Sequence, residues 1–367
     1  MSKEVLVIFE WHHIGDCVMA LPFIRSAQAV FDVYVYCRPQ SLPILQFVLP
    51  SERIIAMTPP WSFRGKGLLA WIKNGHHFKR NLQALAPQHV VCVWADTRAH
   101  MCAVLSRAKN RVGFAMNSSN YYAWEAAFER SKLLQGKCLQ RIAECLFGQR
   151  LLTRRLERTD YFQHHLDDWR QIAAAFSIEL HTKAPWIPLE HVKARASEQV
   201  QTALAPSANQ VCTVHPGARL NFKKWPLTHT LSLIEKLSSE LRYTVRVICA
   251  PNETFPVSEN HQYQIVRTET LHDLVYALAQ TDILICLDSA AGHIAASLGK
   301  RVIALFGKMP CNWFAPVHNR HLVVGGALAS ERVTLSERSA TMPDGFLVEH
   351  VSVQDVLDKV NGIQPKP

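Results

Sequence analysis

The fold is decided at residues 4–37, which read EVLVIFEWHHIGDCVMALPFIRSAQAVFDVYVYC. An unbroken apolar run at the start of this stretch meets Gly15 and Asp16, and a helical pattern over 17–31 leads to a second apolar run at 32–37. Strands that are apolar on both faces are typical of a parallel sheet covered by helices on both sides. We therefore predict that the chain opens with the β-α-β unit of an α/β fold.

The same alternation continues along the chain and then restarts. In the first half, apolar runs at 89–95 and 111–115 alternate with helical segments, and residues 117–175 have a mainly helical pattern that includes an amphipathic stretch over 161–176. In the second half, β-strand runs alternate with helices again and are predicted at 211–217, 244–250, 282–288 and 302–307. This repetition indicates two α/β units in one chain.

We therefore predict two Rossmann-like, doubly wound parallel-sheet domains, at 1–182 and 210–345. A proline-bearing segment at 183–209 is the predicted interdomain connection, and 346–367 is predicted to form a C-terminal helix. Ligands of such sheets bind at the carboxyl ends of the strands, so we expect the site in a central cleft that both domains face.

Composition excludes several classes of protein. The chain has 367 residues, of which 48% are hydrophobic and 19% charged, as in globular proteins rather than disordered ones. No apolar run approaches the roughly 18 residues of a membrane span, and the first residues are predicted to form a strand rather than a signal peptide. Ten cysteines never form a CxxC pair, so we expect buried free thiols, as in a reducing cytoplasm.

The excess positive charge is concentrated in one window. The chain carries a net charge of +10, and residues 61–160 contain 17 lysines and arginines against 6 aspartates and glutamates. A concentrated positive field favours an anionic partner, such as nucleic acid, a phosphorylated lipid surface or an acidic acceptor molecule. A basic face that serves only solubility is the alternative.

The loop HHIGD (12–16) is the first candidate site. Asp16 stands at the start of a helix, where its carboxylate can cap free N–H groups. It also follows the carboxyl end of the first strand, where a carboxylate can act as a general base. The two interpretations have equal weight on local sequence alone, and Gly15 permits the tight turn in both.

Two more candidate sites lie in the second half. HPGA (215–218) ends a strand and KKWP (223–226) precedes a helix, an arrangement that suits a diphosphate held by amides and an ammonium group. DSAAGH (288–293) joins a buried strand to a helix of small residues, whose free amides suit a phosphate or sugar oxygen, although a simple helix cap is the alternative. Glu253, after another strand, can accept hydrogen bonds from ribose hydroxyls.

Several other signatures are absent. The sequence has no GxGxxG, no GxxxxGK[ST] and no Asp-x-Asp, so neither a dinucleotide fingerprint, a P-loop nor the usual cue for a metal-bound nucleotide diphosphate is present. The tandem histidines (12–13, 76–77, 164–165) lack the spacing of metal ligands.

Taken together, these motifs resemble glycosyltransferase family 9, the ADP-heptose:lipopolysaccharide heptosyltransferases. The resemblance spans nearly the whole chain. The motifs that carry it are, in order, Gly15-Asp16 with Ala20-Leu21-Pro22, DTR (96–98), RVGF (111–114), HPGA (215–218), KxWP (223–226), DSxxxHxAAxxG (288–299) and VIALFG (302–307).

The resemblance implies a GT-B fold, with the acceptor bound by the N-terminal domain and the nucleotide-sugar by the C-terminal one. It implies an inverting transfer of heptose from ADP-heptose that needs no metal or other cofactor, with Asp16 as general base and Lys223 on the donor phosphates. The predicted donor-binding residues are Gly217, Ala218, Arg219, Lys223, Glu253, Asp288, Ser289, Ala290, Ala291 and His293. The predicted acceptor-binding residues are Gly15, Arg64, Lys66, Lys79, Arg80 and Arg98.

The chain departs from the family pattern at two places. Lys308-Met309 stand where the family usually has Pro-Thr, and Arg219 stands where a small hydroxyl residue is common. Both departures concern the donor rather than the class of reaction.

The family's acceptor, the lipopolysaccharide inner core, carries phosphates and acidic sugars, which match the basic window. The resemblance therefore implies a cytoplasmic protein in peripheral contact with the cytoplasmic face of the inner membrane. One alternative is a glycosyltransferase of the same fold with another sugar donor or a protein acceptor. A nucleic-acid-binding protein is a second, but no recognition-helix or RNP-like pattern is present, so we expect no nucleic-acid partner.

Overall fold

The computed structural model describes residues 3–62, 68–114, 150–158, 163–204, 206–257, 262–307, 311–326 and 347–363. These residues form two compact units, and the chain passes from the first to the second between His181 and Thr182. Each unit is built around its own parallel sheet of six strands.

The first unit alternates strands and helices from its start. Its strands are β1 (Val5–Glu10), β2 (Asp32–Cys37), β3 (Ile54–Ala56), β4 (His89–Cys92), β5 (Asn110–Phe114) and β6 (Arg154–Leu156). Its helices are α1 (Ile14–Ala27), α2 (Leu42–Leu45), α3 (Leu68–Ala84), α4 (Thr97–Leu105) and α5 (His165–Ala175). The strands lie in the order β3-β2-β1-β4-β5-β6.

Strand β1 occupies the centre of this sheet because its residues are apolar on both faces. Leu6 pairs with Val33 of β2 on one side and with His89 of β4 on the other. The side chains of Leu6, Val7 and Ile8 are fully buried. The predicted opening β-α-β unit is confirmed, with β2 at the residues expected.

One part of the sequence prediction is wrong. Residues 154–156 lie in a stretch predicted as mainly helical, but they form the edge strand β6, which pairs with β5 from Val112 to Phe114. The three residues read Arg-Arg-Leu and carry no apolar run, so the free edge of β5 rather than local sequence selects the strand. Helix α5 lies inside the predicted amphipathic stretch, and residues 117–149 lie outside the described ones.

The second unit repeats this architecture. Its strands are β7 (Val211–His215), β8 (Thr244–Cys249), β9 (Gln264–Arg267), β10 (Ile283–Leu287), β11 (Arg301–Phe306) and β12 (Val324–Gly325). Its helices are α6 (Leu189–Arg195), α7 (Glu198–Ala203), α8 (Leu227–Ser239), α9 (Leu271–Ala279), α10 (Ala290–Ser297), α11 (Cys311–Phe314) and α12 (Val353–Ile363). The strands lie in the order β12-β11-β10-β7-β8-β9, so both sheets have the doubly wound order and the predicted fold class is confirmed.

The two outer strands, β9 and β12, could not be predicted from the sequence. Both are short and lie at the edges of the sheet, where only one neighbour supplies hydrogen bonds. Strand β9 is mostly exposed or half-buried, so it lacks the apolar run that marked the inner strands.

The segment that follows the first unit packs onto the second. Helices α6 and α7 both contact α9, and the N–H of Ser197 donates to Asp273 Oδ1 at 2.8 Å. At the other end of the unit, α12 packs against α8, and the indole of Trp225 donates to the carbonyl of Val351 at 2.9 Å.

The cysteines of the described residues are free and buried, as expected from the sequence; they are Cys17, Cys37, Cys92, Cys102, Cys212, Cys249, Cys286 and Cys311. Burial raises the pKa of Cys37 to about 12 and that of Cys249 to about 11, so these thiols stay protonated near neutral pH. Cys138 and Cys145 lie outside the described residues. Among the described helices, none combines the length and hydropathy that a membrane span requires.

Gly113 of β5 lies opposite Cys92 of β4. A Cβ at this position would lie 2.6 Å from the carbonyl oxygen of Cys92, which belongs to the backbone and cannot turn away. We expect Gly113→Ala to lower the free energy of unfolding by about 1–3 kcal/mol, the usual cost of overpacking. Urea unfolding followed by tryptophan fluorescence measures the change.

Gly75 supplies the matched control, because it lies in α3 and a Cβ there would meet no described atom within 4 Å. Gly75→Ala is expected to leave stability unchanged or raise it by up to about 1 kcal/mol, as alanine does in a helix. Equal effects of the two substitutions would contradict the close approach of the two strands.

Candidate functional site

The predicted site residues follow the strands that flank the topological switch point of each sheet. In the first unit the central strands are β1 and β4, and in the second they are β7 and β10. Connections leave these neighbouring strands in opposite directions, which opens a crevice at their carboxyl ends. Asp16 follows β1, HPGA follows β7 and Asp288 follows β10, so each predicted motif stands at such an edge.

Asp16 is held by the first turn of α1. The helix begins at Ile14, and the N–H of His13 donates to Asp16 Oδ2 at 2.9 Å. The side chain is 7% exposed. The capping role considered in the sequence analysis is therefore present, and it fixes the carboxylate beside Gly15 at the carboxyl edge of the first sheet.

Beside this cap lies a buried polar layer that the sequence analysis missed. Glu10, the last residue of β1, is fully buried. The ring of His12 stacks on Trp94 at 4.1 Å between centroids, and Trp94 stacks on His165 at 4.6 Å. Desolvation by burial and the neighbouring His13 hold the pKa of His12 well below its usual value, so the ring is neutral near pH 7. The sequence signal was Glu10 itself, the one acid that ends an otherwise apolar strand.

His165 is oriented by a buried carboxylate. Asp168 Oδ2 lies 3.0 Å from His165 Nδ1, and Arg158 donates to both carboxylate oxygens at 2.9 and 2.8 Å. Burial acts to raise the pKa of Asp168, but the contacts with His165 and Arg158 outweigh it and leave the pKa lowered. An ionised Asp168 therefore fixes the ring on which Trp94 rests.

The predicted acceptor residues are only partly brought together. Arg98 donates through Nε and Nη2 to both oxygens of Asp96, at 3.0 and 2.7 Å, and its guanidinium lies 5.1 Å from the ring centroid of Trp61. The charge of Arg98 also contributes to lowering the pKa of His12, so Arg98 belongs to the same edge as Gly15 and Asp16.

Of the remaining predicted acceptor residues, the structure describes Lys79 and Arg80. Lys79 and Arg80 are exposed on α3, and no described contact joins them to Asp16 or Arg98. Arg64 and Lys66 lie outside the described residues.

In the second unit, Gly217 and Glu253 lie against each other. The N–H of Ala250 donates to Glu253 Oε2 at 3.0 Å, which turns this carboxylate back towards the loop after β7. A Cβ on Gly217 would lie 2.9 Å from Glu253 Oε1, so a larger residue there would displace the Glu253 carboxylate. His215, next to them, has its pKa lowered by burial, which the charge of Glu253 opposes. Ala218 packs on the hydrophobic core of the unit.

Lys223 and Asp288 form an ion pair across the switch point. Lys223 Nζ donates to Asp288 Oδ2 at 2.6 Å, and the two side chains are 16% and 11% exposed. The pair joins the loop after β7 to the end of β10. Arg219 and Lys224, in the same loop, are exposed. The sequence placed both members of the pair in the donor site, but their direct contact was not predicted.

Helix α10 begins beside this ion pair, at Ala290. Ser289 is its N-cap residue, and the Ser289 hydroxyl is buried without a hydrogen-bond partner among the described residues. Ala291 and His293 are buried in the helix that follows. The first amides of α10, the ammonium of Lys223 and a spare hydroxyl thus share one edge of the sheet, a combination that suits an anion.

A cavity of about 430 Å³ in the second unit lies away from this edge. Lys183, Lys300, Arg301 and His318 are among its lining residues, and Lys300 and Arg301 stand at the amino end of β11. None of the predicted donor residues lines it. Among the described residues, no three His, Cys, Asp or Glu side chains form a group that could hold a metal ion.

Comparison with protein families matches residues 146–340 to the model of glycosyltransferase family 9 (heptosyltransferase). A comparison with curated protein sequences gives no match. Three solved structures resemble the chain over almost its full length at low sequence identity.

The heptosyltransferase WaaC of E. coli, solved with ADP, is 12% identical, with a TM-score of 0.67 and coverage of 98% of this chain and 99% of that one. A family 9 glycosyl transferase from Veillonella parvula is 15% identical, with a TM-score of 0.69 and coverage of 99% and 97%. The ADP-heptose lps heptosyltransferase II of E. coli is 17% identical, with a TM-score of 0.61 and coverage of 98% of each chain. Likeness at this level of identity establishes the fold, and the predicted GT-B fold class is confirmed.

Proposed function

Because this chain belongs to glycosyltransferase family 9, the heptosyltransferase family, we propose that it transfers heptose from ADP-heptose to the inner core of lipopolysaccharide. The names of two solved neighbours, one holding ADP and one described as an ADP-heptose lps enzyme, support this donor and this acceptor. We assign acceptor binding to the first unit and donor binding to the second.

The observation that carries the donor assignment is the ion pair of Lys223 and Asp288 beside the start of α10. An ammonium group has three N–H donors, and the contact with Asp288 uses one of them. The others can meet a diphosphate, together with the Ser289 hydroxyl and the first amides of the helix. The Lys223 ammonium group stabilises the negative charge that develops on the departing diphosphate, so the proposed mechanism needs no metal.

Asp16 is the proposed general base. Its Oδ2 is engaged by the N–H of His13, and the remaining oxygen can take the proton of an acceptor hydroxyl. As that proton leaves, the acceptor oxygen bonds to the anomeric carbon of the heptose, and the bond from this carbon to the diphosphate oxygen breaks. Attack from the face opposite the leaving group inverts the configuration at that carbon, and ADP departs.

Basic residues of the first unit are the proposed contact with the anionic acceptor. Arg98 stands beside the Asp16 loop, and Lys79 and Arg80 are exposed on α3. The same charge would attract an anionic membrane surface. We therefore propose a peripheral location at the cytoplasmic face of the inner membrane.

The proposed reaction is tested by mixing the purified protein with ADP-heptose and lipopolysaccharide that lacks inner-core heptose. We expect ADP release that depends on the acceptor, together with a heptose mass added to the lipid. UDP-glucose serves as the control donor and unfolded protein as the control acceptor. Heptose transfer to the unfolded protein and not to the lipopolysaccharide would contradict the proposed acceptor. Transfer from UDP-glucose and not from ADP-heptose would contradict the proposed donor.

Asp16→Asn tests the base. An asparagine carbonyl can still accept from the His13 N–H, so the cap and the fold should persist while the base is lost. We expect turnover to fall by roughly 10²–10⁴-fold with donor affinity little changed. Turnover equal to that of the native protein would leave Asp16 with its capping role alone.

Lys223→Ala tests the donor diphosphate contact, with Lys224→Ala as the matched control in the same loop. Loss of one charge-stabilising donor is expected to slow transfer by about 10²–10³-fold and to weaken ADP binding, whereas the exposed Lys224 should matter little. Because Lys223→Ala also leaves Asp288 unpaired, the substitution is repeated in an Asp288→Asn background. A defect that disappears in that background would show that Lys223 only neutralises Asp288.

A further inference from the structure

Glu10 is a buried carboxyl group that the proposed reaction does not use. Its side chain has no exposed surface, although it terminates β1 at the edge where the Asp16 loop begins. Oε1 accepts from the N–H of His12 at 3.3 Å, and Oε2 has no hydrogen-bond partner among the described residues. A buried carboxylate with one oxygen unsatisfied is costly, whereas a protonated carboxyl is far less so.

The charge of Arg38 lowers the pKa of Glu10, but by less than burial raises it. The ion-pair contact recorded for it is with His12 Nδ1, at 3.8 Å, and that ring is neutral because its pKa is lowered. The Nε of Arg38 donates to the carbonyl of Trp11. Within the described part of the chain, His12 Nδ1 is buried without a hydrogen-bond partner. A protonated Glu10 carboxyl would place an O–H donor near this nitrogen.

Glu10 and Asp16 are anchored to neighbouring amides of one loop. The N–H of His12 holds Glu10, and the N–H of His13 holds Asp16 at 2.9 Å. Burial raises the pKa of Glu10 well above its usual value, and the charge of Asp16 raises it further. Weaker opposing contributions come from the His12 N–H, the Trp94 side chain and the charge of Arg38.

The titratable and charged groups that face Glu10 come from each element around it: His12 from its own loop, Asp16 and Cys17 from α1, and Cys37 and Arg38 from the end of β2. The two thiols are protonated because burial raises the pKa of each. A neighbouring negative charge adds to the cost of ionising a buried carboxyl group. The more deeply buried group of this pair is Glu10.

We propose that Glu10 is a positioning residue that stays protonated, so that it adds no negative charge to the loop that carries Asp16. The inference rests on the proposed role of Asp16 as base. In this role Glu10 fixes the His12–His13 backbone that holds the base, and its neutrality avoids a second negative charge where an anionic acceptor approaches.

The protonation state is tested without any substrate. An unfolded glutamate ionises near pH 4.3, whereas folded Glu10 keeps its proton to higher pH. The folded state therefore binds more protons in that interval, and native stability falls as the pH rises. Glu10→Gln is a neutral substitute of the same shape and does not lose stability in this way. The difference between its urea midpoint and that of the native protein should therefore increase as the pH rises from 5 to 8.

Infrared spectroscopy supplies a second readout of the same proton. At neutral pH the native protein should show the C=O stretch of a protonated carboxylic acid that is missing in Glu10→Gln. Glu52→Gln is the matched control, because it removes an exposed carboxylate of the same unit and should change neither measurement. A pH-independent difference in midpoint, or no acid band in the native protein, would mean that Glu10 is ionised and would overturn the proposal.

The positioning role is tested with ADP-heptose and heptose-free lipopolysaccharide. We expect Glu10→Ala to lower kcat by about 10–100-fold, as small displacements of a catalytic group do, and Glu10→Gln to recover most of that loss. The acid limb of the pH profile should stay in place in Glu10→Gln, since no charge has been removed. A limb displaced to lower pH would reveal a charged Glu10 and contradict the proposal.

The two proposals fail in different ways. Should Asp16→Asn retain full turnover, the base assignment falls, while the stability and infrared results still decide whether Glu10 is protonated. Should Glu10→Gln lose as much turnover as Asp16→Asn, a charged Glu10 carboxylate is needed for the reaction, and the positioning proposal falls while the family's reaction stands.

Discussion

The parallel pairing of β1 with both β2 and β4 is the constraint on which the first site depends, and the pairing of β7 with β8 and β10 does the same in the second unit. In each sheet a strand that is apolar on both faces holds the centre, and its neighbours connect to it from opposite sides. Burial of these strands stabilises the unit, and their carboxyl ends release polar loops at one edge. The apolar residues of the central strands therefore position the site residues at the sheet edges without taking part in the proposed reaction. These site residues are Asp16, Lys223 and Asp288.

Carboxyl groups at the two sheet edges are stabilised in different ways. In the second unit a cation meets an anion directly, as Lys223 donates to Asp288, and the pair keeps enough donors to meet a third, anionic group. In the first unit Arg38 lowers the pKa of Glu10 by less than burial raises it, so the proposed proton on Glu10 removes the charge. Asp168 shows a third solution, since Arg158 and His165 surround it and its pKa is lowered despite burial.

The inner strands and the motif loops could be predicted because their signals are local. An unbroken apolar run identifies β1 or β10, and Gly-Asp or HPGA identifies the loop that follows. The edge strand β6 could not be predicted, because Arg154 and Arg155 become strand residues only through the free edge of β5. The stack of His12, Trp94 and His165 joins residues more than 150 positions apart, and the contact of Lys223 with Asp288 spans 65. Such contacts depend on tertiary packing, which no local pattern encodes.

The central position of β1 also governs the order in which the molecule can be built. Strand β1 is synthesised before both of its partners and can pair with β2 first, but its other edge must wait until residues 89–92 have been synthesised. Contacts of such separation in sequence slow folding, because the intervening chain must first be closed into a loop. The crevice beside Asp16 exists only after that second pairing. The proposed catalytic edge therefore cannot form before residues 89–92 pair with β1, and a shorter nascent chain would display an unpaired apolar edge of β1 beside the proposed sugar site.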